Sequence, residues 1–126
     1  MRLNTRMAFL MILFAVFSVS AFGVSIPDSL QDALMKDGQA EFFVVLQEQA
    51  DVSGAAFLKS KEAKGQFVFD TLTETAERSQ KDIRASLEAR NATFKPYWIT
   101  NMILVTGDEA LVKEMASRSE VKAIWH

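Results

Sequence analysis

Few side chains in this sequence could carry catalytic chemistry. The chain contains one histidine, His126, and no cysteine. A Ser-His-Asp triad, a thiol nucleophile and a histidine or thiolate metal site therefore lack the residues that they need. Asp70, Glu74 and Glu77 fall on the polar side of a predicted helix, and their spacing does not indicate a paired acid and base. We expect a protein that is not an enzyme and that holds neither a metal nor a cofactor.

Composition indicates a single folded domain that binds no nucleic acid. A chain of 126 residues with 49% hydrophobic residues is long enough for one domain with a core. Its 14 basic and 16 acidic residues give a formal charge of -2, without the basic surplus typical of nucleic-acid binding. Without cysteines there are no disulfides, so packing alone must stabilise the fold.

The N-terminal region has the pattern of a signal peptide. Arg2 and Arg6 precede an apolar run over residues 7–17, and small residues follow it. We assign residues 1–23 to this peptide, with cleavage after either Ala21 or Gly23. The run is shorter than the roughly 20 residues of a membrane-spanning helix. The pattern therefore predicts a secreted or periplasmic protein that keeps no membrane anchor once the peptide is removed.

Residues 24–40 form a lead-in segment, and residues 41–126 show alternating strand and helix patterns. The predicted order is strand, helix, strand, strand, helix, strand, at residues 41–47, 59–90, 93–100, 102–105, 111–116 and 121–126. This order predicts a ferredoxin-like split β-α-β fold of the α+β class, with a four-stranded antiparallel sheet and two helices on one face. The first and third strands should be central because they are the unbroken apolar runs. On the long helix, Phe69 and Leu72 are predicted core residues, and Asn101 is predicted to permit a positive φ between two strands.

The central strands raise the question of what covers the second face of the sheet. Their apolar residues occupy both faces, whereas two helices cover only one. An uncovered apolar face is typical of a binding surface. The alternatives are that residues 50–58 or the lead-in residues 26–34 fold over it, or that the protein forms a homodimer. The sequence does not decide which face is open, since a register change of one residue exchanges the two.

The strand FFVVL, the long helix, the hairpin around Asn101 and the apolar spacing of Leu111, Met115, Val121 and Ile124 resemble a known family. They are similar to the propeptide and inhibitor domain of subtilisin-type serine proteases over about residues 41–126. The segments EFFVVLQEQADVSGA and YWITNMILV look most like pro-regions of large secreted subtilases.

The resemblance implies a function through binding. Members of the family dock the open sheet face on the protease, and an extended C-terminal segment enters the active-site cleft, which inhibits the enzyme or assists its folding. The implied partner is a subtilisin-type serine protease, and the candidate contacts are Trp98, Ile124, Trp125 and His126. Tyr97 is predicted to be a core residue. Two alternatives stay open: an exported ferredoxin-like module that binds another protein, and a truncated propeptide fragment of a subtilase.

Overall fold

Residues 23–126 are described by a computed structural model and form three α-helices, one short 3₁₀ helix and four strands. The predicted signal peptide lies outside these residues apart from Gly23, so its assignment stays a prediction. The elements are α1 (Asp28–Asp37), β1 (Ala40–Leu46), a 3₁₀ helix (Ser53–Phe57), α2 (Lys61–Ala89), β2 (Thr93–Tyr97), β3 (Met102–Gly107), α3 (Glu109–Ser117) and β4 (Val121–Trp125).

The four strands form one antiparallel sheet with the order β2-β3-β1-β4. The two unbroken apolar runs, β1 and β3, are the central strands, which confirms the prediction. β2 carries Pro96, which lacks an N–H to donate, and it lies at an edge, where that loss is tolerated. The α+β class and the four-stranded sheet are thus as expected from the sequence.

The lead-in segment contains a helix that the sequence reading missed. α1 follows Pro27 and ends at Gly38, whose φ of 73° suits a residue without a Cβ. Leu30 and Leu34 are buried in the main core. The fold therefore has three α-helices where the sequence predicted two, and the folded domain includes residues 28–37 as well as 41–126.

The core lies between the helices and one face of the sheet. Side chains from this face pack with buried residues of all three helices; the largest fully buried apolar side chains are Phe42, Val44, Leu46, Ile103, Val105, Val121, Leu30, Ile83, Leu87, Val112 and Met115. Asp108 begins α3, and its carboxylate accepts a hydrogen bond of 2.9 Å from the N–H of Leu111.

Half of α2 extends past the sheet. With 29 residues, α2 is about 43 Å long, whereas the seven residues of β1 span about 24 Å. Every buried residue of α2 lies between Thr75 and Leu87, in its C-terminal half. Phe69, predicted to be in the core, is instead 49% exposed because it lies on the overhanging half.

Asn101 fixes the turn between β2 and β3 through its side chain. It is 2% exposed, and its Nδ2 donates to the carbonyl of Glu48 at 2.7 Å and to Ser79 Oγ at 2.6 Å. Its Oδ1 accepts a hydrogen bond of 2.8 Å from Gln80 Nε2. The expectation of a positive φ at Asn101 is wrong: the non-glycine residue with that conformation is Asn91, at 52°. An asparagine suits this position because its side-chain amide hydrogen-bonds the turn to α2 and to the segment that follows β1.

Candidate protein-binding face of the sheet

The face of the sheet that points away from the core is mainly apolar. Strand pairing places its side chains in two adjacent rows of four, with one member from each strand. The first row is Trp125, Phe43, Leu104 and Lys95; the second is Ala123, Val45, Met102 and Tyr97. We call these eight residues the open face. Seven of the eight are apolar or aromatic, and Lys95 stands at one corner.

A polar row closes one end of the open face. Glu41 pairs with Thr106, and Thr106 pairs with Thr93 on the outer strand. All three lie on the same side of the sheet as Phe43, because alternate residues of a strand share a face. The surface thus has an apolar centre with a polar border, which is the usual arrangement at a protein interface.

No helix of the described part of the chain packs over the open face. Leu30 and Leu34 of α1 belong to the core cluster on the opposite side. The 3₁₀ helix packs against α2, and a Cβ at Gly54 would lie 2.8 Å from the ring of Phe67. The two alternative coverings, residues 26–34 and residues 50–58, are therefore wrong.

The open face carries three aromatic side chains, Phe43, Tyr97 and Trp125. The rings of Phe43 and Tyr97 have centroids 6.2 Å apart, and the ammonium of Lys95 lies 5.3 Å from the centre of the Tyr97 ring. Val45 is only 5% exposed, so it contributes little accessible surface to the open face. Trp125 is 52% exposed and is the most accessible aromatic residue of the face.

A shallow depression lies at the end of the face nearest the β2–β3 turn. Its volume is about 370 Å³, and it is lined by Val45, Gln49, Thr100, Ala123 and Trp125, together with Lys122. Gln49 is held there because its Nε2 donates to the carbonyl of Asn101 at 3.1 Å. The depression can accept a protruding side chain from a partner next to the exposed ring of Trp125.

The predicted contact residues occupy three different environments. Trp125 lies on the open face, as a contact residue should. Ile124 is 3% exposed and packs in the core, so it cannot touch a partner directly. Trp98 lies in the β2–β3 turn rather than on the face, is 39% exposed, and packs edge-on against Phe69 with ring centroids 5.2 Å apart.

The positions of His126 and Tyr97 also differ from those predicted from the sequence. The Nδ1 of His126 lies 2.9 Å from Ser29 Oγ at the start of α1, and His126 also lines a depression with Phe43 and Leu104 of the open face. Tyr97, predicted to be in the core, lies on the open face and is half-buried. The structure therefore brings Trp125 and Tyr97 onto the open face, places His126 at its margin, and leaves Trp98 in the β2–β3 turn.

Arg118 and Glu120, which precede β4, form a hydrogen-bonded ion pair. Burial raises the pKa of Glu120 and hydrogen bonds from Arg118 lower it, and the net effect holds the pKa below its usual value of 4.5. Arg118 Nη2 donates to Glu120 Oε1 at 2.7 Å. Among residues 23–126, no group of three or more His, Asp or Glu side chains is placed to hold a metal ion.

Comparisons with family models, curated proteins and solved structures gave no match. The resemblance to subtilase propeptides consequently stays a prediction from the residues. Within the described residues, no helix has the length and apolar character to cross a membrane.

Residue alternation in β2, once its burial is known, shows which side of this strand belongs to the open face. In β2, Thr93 and Lys95 flank the half-buried Phe94, so the alternation places Phe94 on the core side. Tyr97 then shares the outer side with Lys95. A hairpin that pairs Tyr97 with Met102 extends this side to β3, as the observed register does.

Proposed function

We propose that this protein is an exported inhibitor or folding chaperone of a subtilisin-class serine protease, and that it acts by binding alone. The observation that supports the proposal is the uncovered apolar face of the sheet, with an exposed tryptophan at its edge. Apart from Val45, which is only 5% exposed, the apolar side chains of the open face keep accessible surface, and removing that surface from water favours association by roughly 25 cal/mol per Å².

The proposed complex has two parts. The open face packs on the surface of the protease, where Phe43, Leu104 and Trp125 supply the apolar contacts. The segment at the end of β4, with Trp125 and His126, enters the active-site cleft as an extended strand and pairs with the edge of the cleft. Trp125 joins the two parts because it is on the open face and next to His126, and buried tryptophans are frequent anchors of interfaces.

Ile124 has a supporting role in this proposal. Its side chain fills the core beneath β4 and pairs with Val44, so it holds the strand that presents Trp125. Shortening Ile124 would weaken binding through loss of stability, whereas shortening Trp125 would remove a contact.

Titration against a panel of secreted proteases tests the proposal. The purified protein is added to subtilisin-type and trypsin-type enzymes, and residual activity and cleavage of the added protein are followed. We expect saturable inhibition of at least one subtilase and no effect on trypsin-type enzymes. A Leu104→Lys variant should inhibit at least tenfold less, because it places a charge at the centre of the open face.

The alternatives predict other results. A folded protein that every subtilase digests or ignores would exclude inhibition and favour a binding module for a different protein or a propeptide fragment. Sedimentation of the protein alone tests a homodimer through the open face: a dimer that Leu104→Lys dissociates would assign the face to self-association.

A further inference from the structure

The open face alone is too small for a stable complex. Four strands at about 4.8 Å spacing are about 19 Å wide, and two rows of side chains are about 14 Å long, which gives about 270 Å² in plan. A specific, stable interface uses about 800 Å² from each partner. A partner that binds this face stably must therefore contact neighbouring surface as well.

The neighbouring exposed apolar surface lies in and beside the β2–β3 turn. Ile99 is 72% exposed, Phe69 on α2 is 49% exposed and Trp98 is 39% exposed. Trp98 and Phe69 touch edge to face, with an angle of 79° between their rings. We call these three residues the turn patch.

The turn joins the turn patch to the open face. Tyr97 is on the open face, and Trp98 follows it directly on the side of α2. Thr100 lines the depression next to Trp125, and Ile99 lies between Trp98 and Thr100 in the turn. The turn patch therefore adjoins the open face at Tyr97, while Gln49, Thr100 and Lys122 line the depression beside Trp125.

The turn patch is held in place before any partner binds. Gln80 is 1% exposed, and its Nε2 donates to the carbonyl of Tyr97 at 2.8 Å and to Asn101 Oδ1 at 2.8 Å. These bonds tie both ends of the turn to α2. A turn fixed in this way loses little conformational entropy on binding, which favours its use as a contact surface.

We infer that the protease contacts the turn patch together with the open face, and that Ile99, Trp98 and Phe69 are contact residues at a distance from the cleft. This inference rests on the proposed function. The partner is the same protease because Trp98 of the turn patch directly follows Tyr97 of the open face, and because the open face and the segment at the end of β4 together form a small interface. The overhanging half of α2 thus supplies binding surface in addition to its limited packing on the domain.

The test compares single serine substitutions of exposed apolar residues. Ile99→Ser removes the tip of the turn patch, and Leu104→Ser removes the centre of the open face. Met35→Ser is the matched control, since Met35 is 79% exposed but lies on α1, whose buried leucines pack on the other side of the sheet. Each variant is checked for unchanged thermal unfolding, and its dissociation constant with an inhibited subtilase is measured.

Under the inference, Ile99→Ser weakens binding about tenfold, mainly through faster dissociation, and Met35→Ser changes it less than twofold. A second variant, Phe69→Ser, weakens binding in the same direction. If Leu104→Ser weakens binding while Ile99→Ser and Phe69→Ser leave it unchanged, the inference is wrong and the proposed function stands. If the unmodified protein binds no subtilase, both fail.

Discussion

Substitution of Asn101 tests whether one buried amide holds the β2–β3 turn. The side chain makes three hydrogen bonds: its Nδ2 donates to the carbonyl of Glu48 and to Ser79 Oγ, and its Oδ1 accepts from Gln80. Each is worth about 1 kcal/mol, and Asn101→Ala removes all three, although Ser79 Oγ and Gln80 Nε2 keep their bonds to the carbonyls of Thr75 and Tyr97. We therefore expect Asn101→Ala to lower the free energy of unfolding by about 3 kcal/mol.

Equilibrium unfolding in urea, followed by far-UV circular dichroism, measures this loss. Ser79→Ala is the companion variant, because it removes one of the three bonds and should cost about 1 kcal/mol. Amide hydrogen exchange should also become faster at the turn in Asn101→Ala. A loss below about 1 kcal/mol for Asn101→Ala would refute the assignment of the turn geometry to this side chain.

Four further substitutions test the packing and electrostatics of the sheet. Ile103→Ala should lower the free energy of unfolding by about 3 kcal/mol and Leu104→Ala by about 1 kcal/mol, because only the former is in the core; equal losses in urea would contradict the assignment of faces. Gly107→Ala should cost about 2 kcal/mol, since its Cβ would lie 2.5 Å from a leucine of α3, and unchanged thermal unfolding would exclude this clash. The lowered pKa of Glu120 favours its ionised form in the folded protein, so its contribution to stability is present above about pH 4.5 and is lost as pH falls through the lowered pKa. Arg118→Gln should raise that pKa, as measured by an NMR titration; a pKa that falls or stays constant would contradict the pairing.

Strand order could be predicted from the sequence because apolar continuity reports burial. β1 and β3 are unbroken apolar runs and occupy the centre, and Pro96 marks β2 as an edge strand. α1 was missed, although Pro27 and Gly38 mark its two ends in the expected manner. Its sequence is mostly polar, and only two of its ten residues are buried, so its apolar pattern is weak.

The candidate site was harder to predict because it depends on register. The presence of an apolar residue in a central strand does not indicate which face it occupies, so the sequence does not distinguish Phe42 from Phe43. Their cross-strand partners distinguish them: Phe42 pairs with Val105 in the core, and Phe43 pairs with Leu104 on the open face. Helical periodicity likewise placed Phe69 in the core, because periodicity does not report that α2 extends past the sheet.

Photo-crosslinking from position 104 is the most direct test of the central claim, that the open face binds a subtilisin-class protease. A photoreactive amino acid replaces Leu104 in one variant and Met35 in another, and each is irradiated with subtilases in turn. We expect a covalent complex with a subtilase from position 104 and none from position 35. A complex formed only from position 35, or none from position 104 under conditions of full inhibition, would contradict it.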